Sequence, residues 1–147
     1  MADQSLSDVA DIIAKIDFCQ FVTKTDGGLM AARPMSNNSQ VDYEGDNYFF
    51  AKDTSRTYRD IQADPHVTLT FHGSAGLMGV VGKPGPMVAI QGQAEVIRDK
   101  AVFREHWVPE LEYWFKDGID DPEMVMFKVH AHRINIWDGE DSREITV

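Results

Sequence analysis

Between Phe49 and Thr57 the sequence reads Phe-Phe-Ala-Lys-Asp-Thr-Ser-Arg-Thr, an apolar strand that ends in a cluster of hydroxyls with an arginine at a helix start. Free backbone N–H groups at a helix N-terminus, hydroxyl donors and a guanidinium fork together can cradle a phosphate or similar oxyanion. The same residues also describe an ordinary surface helix capped by Thr54 or Ser55, and the spacing alone leaves both readings open. A second cluster, Ala31-Ala32-Arg33-Pro34-Met35, places a proline inside strand-forming sequence. Its missing N–H belongs on a sheet edge or beside something other than a neighbouring strand, such as a ligand.

Other chemistries lack their residues. Glycines at 73, 76, 79, 82 and 85 recur every third position, but the run is far too short for a collagen register and reads as a loop between strands. Gly82-Lys83 invites a phosphate-loop reading that fails twice, because Leu77 stands at the first glycine position and Pro84 at the hydroxyl position. His130 and His132 share one face of an expected strand, yet no third metal ligand lies near them in sequence, so no metal site is assigned. A Gly-x-Ser-x-Gly elbow is missing, which removes support for hydrolase chemistry, and no catalytic residue is assigned. Trp107, Trp114, Phe115 and Trp137 could stack on a flat heterocycle; the default reading puts them in the core.

These residues need elements to hold them. Val9, Ile12, Ile13 and Ile16 fall at helical spacing, predicting an amphipathic helix from about Ser7. Phe18 to Thr25 and Leu29 to Ser36 read as a hairpin around Asp26-Gly27-Gly28, and Asn47 to Ala51 as a short aromatic strand. A helix to about Ala63 follows, stopped by Asp64-Pro65. His66 to His72 alternates with Val67, Leu69 and Phe71 on one face, and Met87 to Arg98 forms a long strand with Gly92 at a bend or close approach. Asp99 starts helical sequence, Pro109 opens a new helical turn, and Met124 to Trp137 alternates with a kink near His132 before an acidic tail, Asp138 to Glu144. Six or seven strands joined mostly by hairpins, with three or four helices inserted, predict an antiparallel barrel rather than a doubly wound sheet.

The 147 residues suit one domain, and 43% hydrophobic content supplies a core. A net charge of −10 disfavours nucleic acid and anionic membrane surfaces as partners. No apolar run approaches the ~20 residues of a membrane-spanning helix. Cys19 is the single cysteine, and the first fifteen residues do not resemble a secretion signal, so a cytoplasmic location is expected.

In chain order, Arg33-Pro34-Met35, Phe49-Phe50, Ser55-Arg56, Ile61 with Ala63-Asp64-Pro65, the Gly92 strand into Val96-Ile97-Arg98-Asp99, Trp114-Phe115-Lys116-Asp117-Gly118 and Trp137-Asp138 form an ordered set. That set resembles the pyridoxamine phosphate oxidase-like family, specifically its general stress protein branch, over nearly the whole chain. The resemblance implies an α+β fold, a mostly antiparallel split β-barrel with peripheral helices, as one FMN-binding domain over residues 1–147. It further implies a homodimer with flavin sites at the subunit interface, acting as an oxidoreductase with a small-molecule electron donor or acceptor. In this pattern Arg33, Pro34 and Met35 run along the isoalloxazine ring, while Phe50, Ala51 and Lys52 line the ring and ribityl chain. Ser55, Arg56 and Thr57 anchor the phosphate, and Trp114 reaches the flavin from the partner subunit.

Two departures qualify the pattern. Thr57 stands where many relatives carry a phosphate-binding lysine, which leaves Lys52 or Arg59 to substitute. The arginine and histidine pair with which the true oxidase holds its phosphorylated vitamin substrate is not found near the C-terminus, so that reaction is not expected. A flavin carrier or redox sensor without turnover is an alternative, as is a split barrel holding haem or a deazaflavin.

Overall fold

A computed structural model describes residues 4–37, 42–74, 82 and 84–147. Seven antiparallel strands, β1 (Phe18–Lys24), β2 (Met30–Ser36), β3 (Asp46–Lys52), β4 (His66–His72), β5 (Met87–Ile97), β6 (Met124–Asp138) and β7 (Asp141–Thr146), form one sheet. Its order is β2-β1-β4-β5-β6-β3, with β7 paired to β6. Three α-helices, α1 (Gln4–Ile13), α2 (Arg56–Ala63) and α3 (Lys100–His106), decorate it together with short 3-10 helices at Pro109–Tyr113 and Gly118–Asp120. Among the described residues β2 and β3 end the sheet as edges, so it does not close, and it is the split barrel expected from sequence.

Local chemistry accounts for most of these elements. The β1–β2 turn has Gly28 at φ 81°, where a side chain would be strained, and Gly28 N–H donates to the Thr25 carbonyl at 3.0 Å. In β4, Val67, Leu69 and Phe71 are buried while the residues between them are not, as the period of two requires. Pro34 sits on the edge strand, where its missing donor costs no ladder hydrogen bond. Asn37 fastens the end of that strand to α1, its Nδ2 donating to the carbonyls of Ile13 at 2.8 Å and Ile16 at 3.1 Å.

The kink expected near His132 is a β-bulge. Gln91 pairs with Arg133 and Gly92 with Ala131, so His132 is the extra residue. Glycine is required opposite it, because a Cβ at position 92 would collide with the His130 carbonyl oxygen.

Two apolar clusters flank β3 and the first half of β6. Phe49, Val125 and Phe127 face the barrel core, where Phe21 meets Phe49 edge-to-face at 5.2 Å. Phe50, Met124 and Met126 face a smaller cluster with Phe103, Leu111 and Phe115. This explains why four successive residues from Met124 are buried.

Three expectations need correction or fall outside the structure. The acidic tail is partly β7, whose Ile145 is 9% exposed and which returns through a turn at Gly139 with φ 64°. Trp114 and Trp137 are 57% and 42% exposed and do not join the core, whereas Phe115 is buried and Trp107 packs on Phe50 with ring centroids 5.3 Å apart. The glycine-rich loop lies largely outside the described residues, at 75–81 and 83.

Candidate functional site

The gap between the two sheet edges is an apolar cleft of about 250 Å³. Pro34, Met35 and Ser36 of β2 form one wall and Phe50 of β3 another, while Leu111, Trp114 and Phe115 close one side and Phe18 completes the rim. Among the described residues, no side chain lining the cleft is ionisable, and Ser36 has the only hydroxyl there. Beside the Phe50 cluster, Tyr48 is stacked on His106 with ring centroids 3.7 Å apart. Burial holds the His106 imidazole below its ordinary range, outweighing the nearby Glu105 carboxylate, so it is uncharged at neutral pH.

Further along β2 the chemistry changes. A second concavity of about 460 Å³ is lined by Ala31 and Arg33 of β2, Thr25 and Asp26 of the turn, and Arg56, Arg59, Asp60 and Ala63 of α2. Residues 31 and 33 face this basic concavity and residues 34–36 the apolar cleft, so one edge strand borders both.

Arg33 is held by a network that crosses three elements. Its Nη1 donates to Thr23 Oγ1 at 2.7 Å and to the Phe21 carbonyl at 3.3 Å, and its Nη2 lies 3.4 Å from Asp60 Oδ2. Thr23 Oγ1 in turn donates to Asp60 Oδ2 at 2.7 Å. Arg56 and Arg59 are exposed and make no ion pair among the described residues.

The remaining site candidates are placed differently. Ser55 caps α2: its Oγ accepts from Tyr58 N–H at 3.2 Å and donates to the Lys52 carbonyl at 2.6 Å, so its hydroxyl proton is already used. Thr57 is 8% exposed on the inner face of α2, and Ala51 belongs to the barrel core. Lys52 turns to Asp121 at 3.4 Å and Glu123 at 4.0 Å. Trp114 lines the cleft of its own chain and is 57% exposed. Sequence reasoning named Arg33, Pro34, Met35, Phe50, Arg56 and Trp114, which do line the two concavities, but it missed Asp60, Thr23 and Phe18. Asp60 was legible only as the residue one helical turn after Arg56.

The sequence model of the family described as pyridoxamine 5'-phosphate oxidase like matches residues 4–147. Among curated proteins, protein bli-3 of Neurospora crassa is 23% identical over 136 residues, which cover 86% of this chain and 61% of that protein. The chain thus spans less than two thirds of this relative's length. Among solved structures, a Clostridium acetobutylicum protein related to general stress protein 26 superposes with a TM-score of 0.80 at 15% identity, covering 99% of this chain and 96% of that one. General stress protein 26 of Bacillus anthracis gives 0.77 at 16% identity, with 99% and 100% covered. A haem-binding protein of Mycobacterium smegmatis gives 0.75 at 15% identity, with 99% of this chain and 59% of that chain covered.

Proposed function

The chain belongs to the pyridoxamine 5'-phosphate oxidase-like family, and on that premise we propose that it binds FMN as a flavin-dependent oxidoreductase of the general stress protein type. The observation that carries this reading is the meeting of an aromatic-lined apolar cleft and a three-arginine concavity along the single strand β2. A ligand with a flat ring system at one end and a phosphate at the other matches both at once.

In this reading the ring lies against Pro34, Met35, Phe50 and Trp114, while Arg33, expected beside the ring, joins Arg56 and Arg59 at the phosphate because it lines their concavity. Arg59 supplies the cation that Thr57 lacks, since Lys52 is committed to Asp121. Bound FMN would provide the redox chemistry; this chain's residues bind the ring, keep water from its face and offer no acid or base in the cleft. The exposed Phe18 and Trp114 at the rim are surfaces that a second copy would cover, consistent with a homodimer. A buried lone cysteine and a net charge of −10 suit a cytoplasmic location.

Among the described residues, Met35 is the one cleft-lining side chain able to ligate iron and no histidine lines the cleft, so a haem ligand set is poorly supplied. The test is fluorescence titration of the purified chain with FMN, followed by NADH or NADPH oxidation with an added acceptor. Saturable quenching with turnover above that of free FMN supports an oxidoreductase; binding without turnover supports a carrier or sensor.

A further inference from the structure

We propose that Asp60 is a built-in competitor for the anion: it pairs with Arg33 and sets how tightly the arginine concavity binds a phosphate group. This inference rests on reading that concavity as the phosphate end of the site.

Three guanidinium groups, of Arg33, Arg56 and Arg59, share the concavity with two carboxylates, of Asp26 and Asp60, leaving a net charge of +1. The two carboxylates are not equivalent. Asp26 is an exposed turn residue, whereas the Asp60 side chain is 12% exposed and lies 3.4 Å from the guanidinium of Arg33, whose side chain is 21% exposed. The fully buried Thr23 hydroxyl donates to Asp60 at 2.7 Å and accepts from Arg33 at 2.7 Å. Asp60 is thereby anchored from below and cannot swing aside to solvent without breaking a buried hydrogen bond.

An incoming dianion therefore meets a fixed like charge, and it meets Arg33 already partly neutralised. Arg33 does not depend on Asp60 for its place, because Thr23 Oγ1 and the Phe21 carbonyl both hold Nη1. Removing the charge of Asp60 while keeping its shape should strengthen anion binding rather than weaken it. A site restrained in this way releases a phosphate ester readily, which suits a cofactor exchanged with the surrounding pool.

The experiment is calorimetric titration of wild type and Asp60→Asn with FMN and with riboflavin, which lacks the phosphate. Asn keeps an acceptor for the Thr23 hydroxyl, so the expected result is about tenfold tighter FMN binding with riboflavin affinity unchanged. Unchanged or weaker FMN binding by a folded Asp60→Asn, in a protein whose wild type prefers FMN, overturns this inference alone and makes Asp60 a brace for Arg33. Equal wild-type affinities for FMN and riboflavin overturn the phosphate reading and this inference with it. If Asp60→Asn does not fold, the wild-type side-chain carboxylate resonances are followed by NMR during titration with inorganic phosphate. A shift at Asp60 without one at Glu140 supports competition, and no shift at Asp60 overturns it.

Discussion

Lys52 Nζ lies 3.4 Å from Asp121 Oδ2, and this pairing directs the cation toward the segment before β6 rather than to the arginine concavity beside α2. Arg59, by contrast, lines that concavity and makes no ion pair among the described residues. Arg59→Ala is therefore expected to weaken FMN binding by about tenfold, the loss of one charge-assisted contact, while Lys52→Ala stays within about threefold of wild type. Fluorescence titration of both variants reads the difference, and equal losses would mean that Lys52 shares the phosphate.

Ser55 is a cap first. Its hydroxyl bonds Tyr58 N–H and the Lys52 carbonyl, so Ser55→Ala should cost about 1 kcal/mol of stability in chemical denaturation. Ser55→Asp, which keeps an acceptor for Tyr58 N–H and favours the helix dipole, should recover most of that.

Gly92 supports the bulge that bends β6. Because its Cβ would collide with the His130 carbonyl, Gly92→Ala should destabilise the fold by roughly 3 kcal/mol or more, lowering the denaturation midpoint. A midpoint within experimental error of wild type would mean that the bulge relaxes freely.

Cys19 is 2% exposed, and burial pushes its thiol from an ordinary 9.0 up to about 12, against an opposing backbone hydrogen bond. The folded chain then keeps this proton where the unfolded chain has lost it. Its contribution to stability is complete below pH 9 and declines as pH rises from about 9 toward 12. Cys19→Ala should flatten the alkaline fall in stability, and a thiol reagent at pH 8 should label native wild type far more slowly than the unfolded chain.

Much of the scaffold was legible because it follows from local rules. Period-two burial gave β4, glycines marked the β1–β2 turn and the Gly92 close approach, and Ser55 with Asp64-Pro65 bounded α2. β7 was missed because only Ile145 of its six residues is buried, so its pairing comes from the backbone of β6 and not from an alternating pattern. Trp114 was placed in the core because helical spacing was extended through it, whereas the 3-10 helix ends at Tyr113 and the indole lines the cleft while remaining 57% exposed. In the site, the cleft-lining aromatics and arginines were readable one by one. The partnerships that tune them were not: Arg33 and Asp60 lie 27 residues apart, and only the sheet and α2 bring them together.

The most direct measurement is the FMN affinity of wild type beside Arg56→Ala, with riboflavin as the control ligand. Expected is saturable FMN binding that weakens by about tenfold or more both in Arg56→Ala and when riboflavin replaces FMN. Failure of wild type to bind FMN, or identical affinities across all three titrations, would contradict a flavin held by its ring in the cleft and by its phosphate among the arginines of α2.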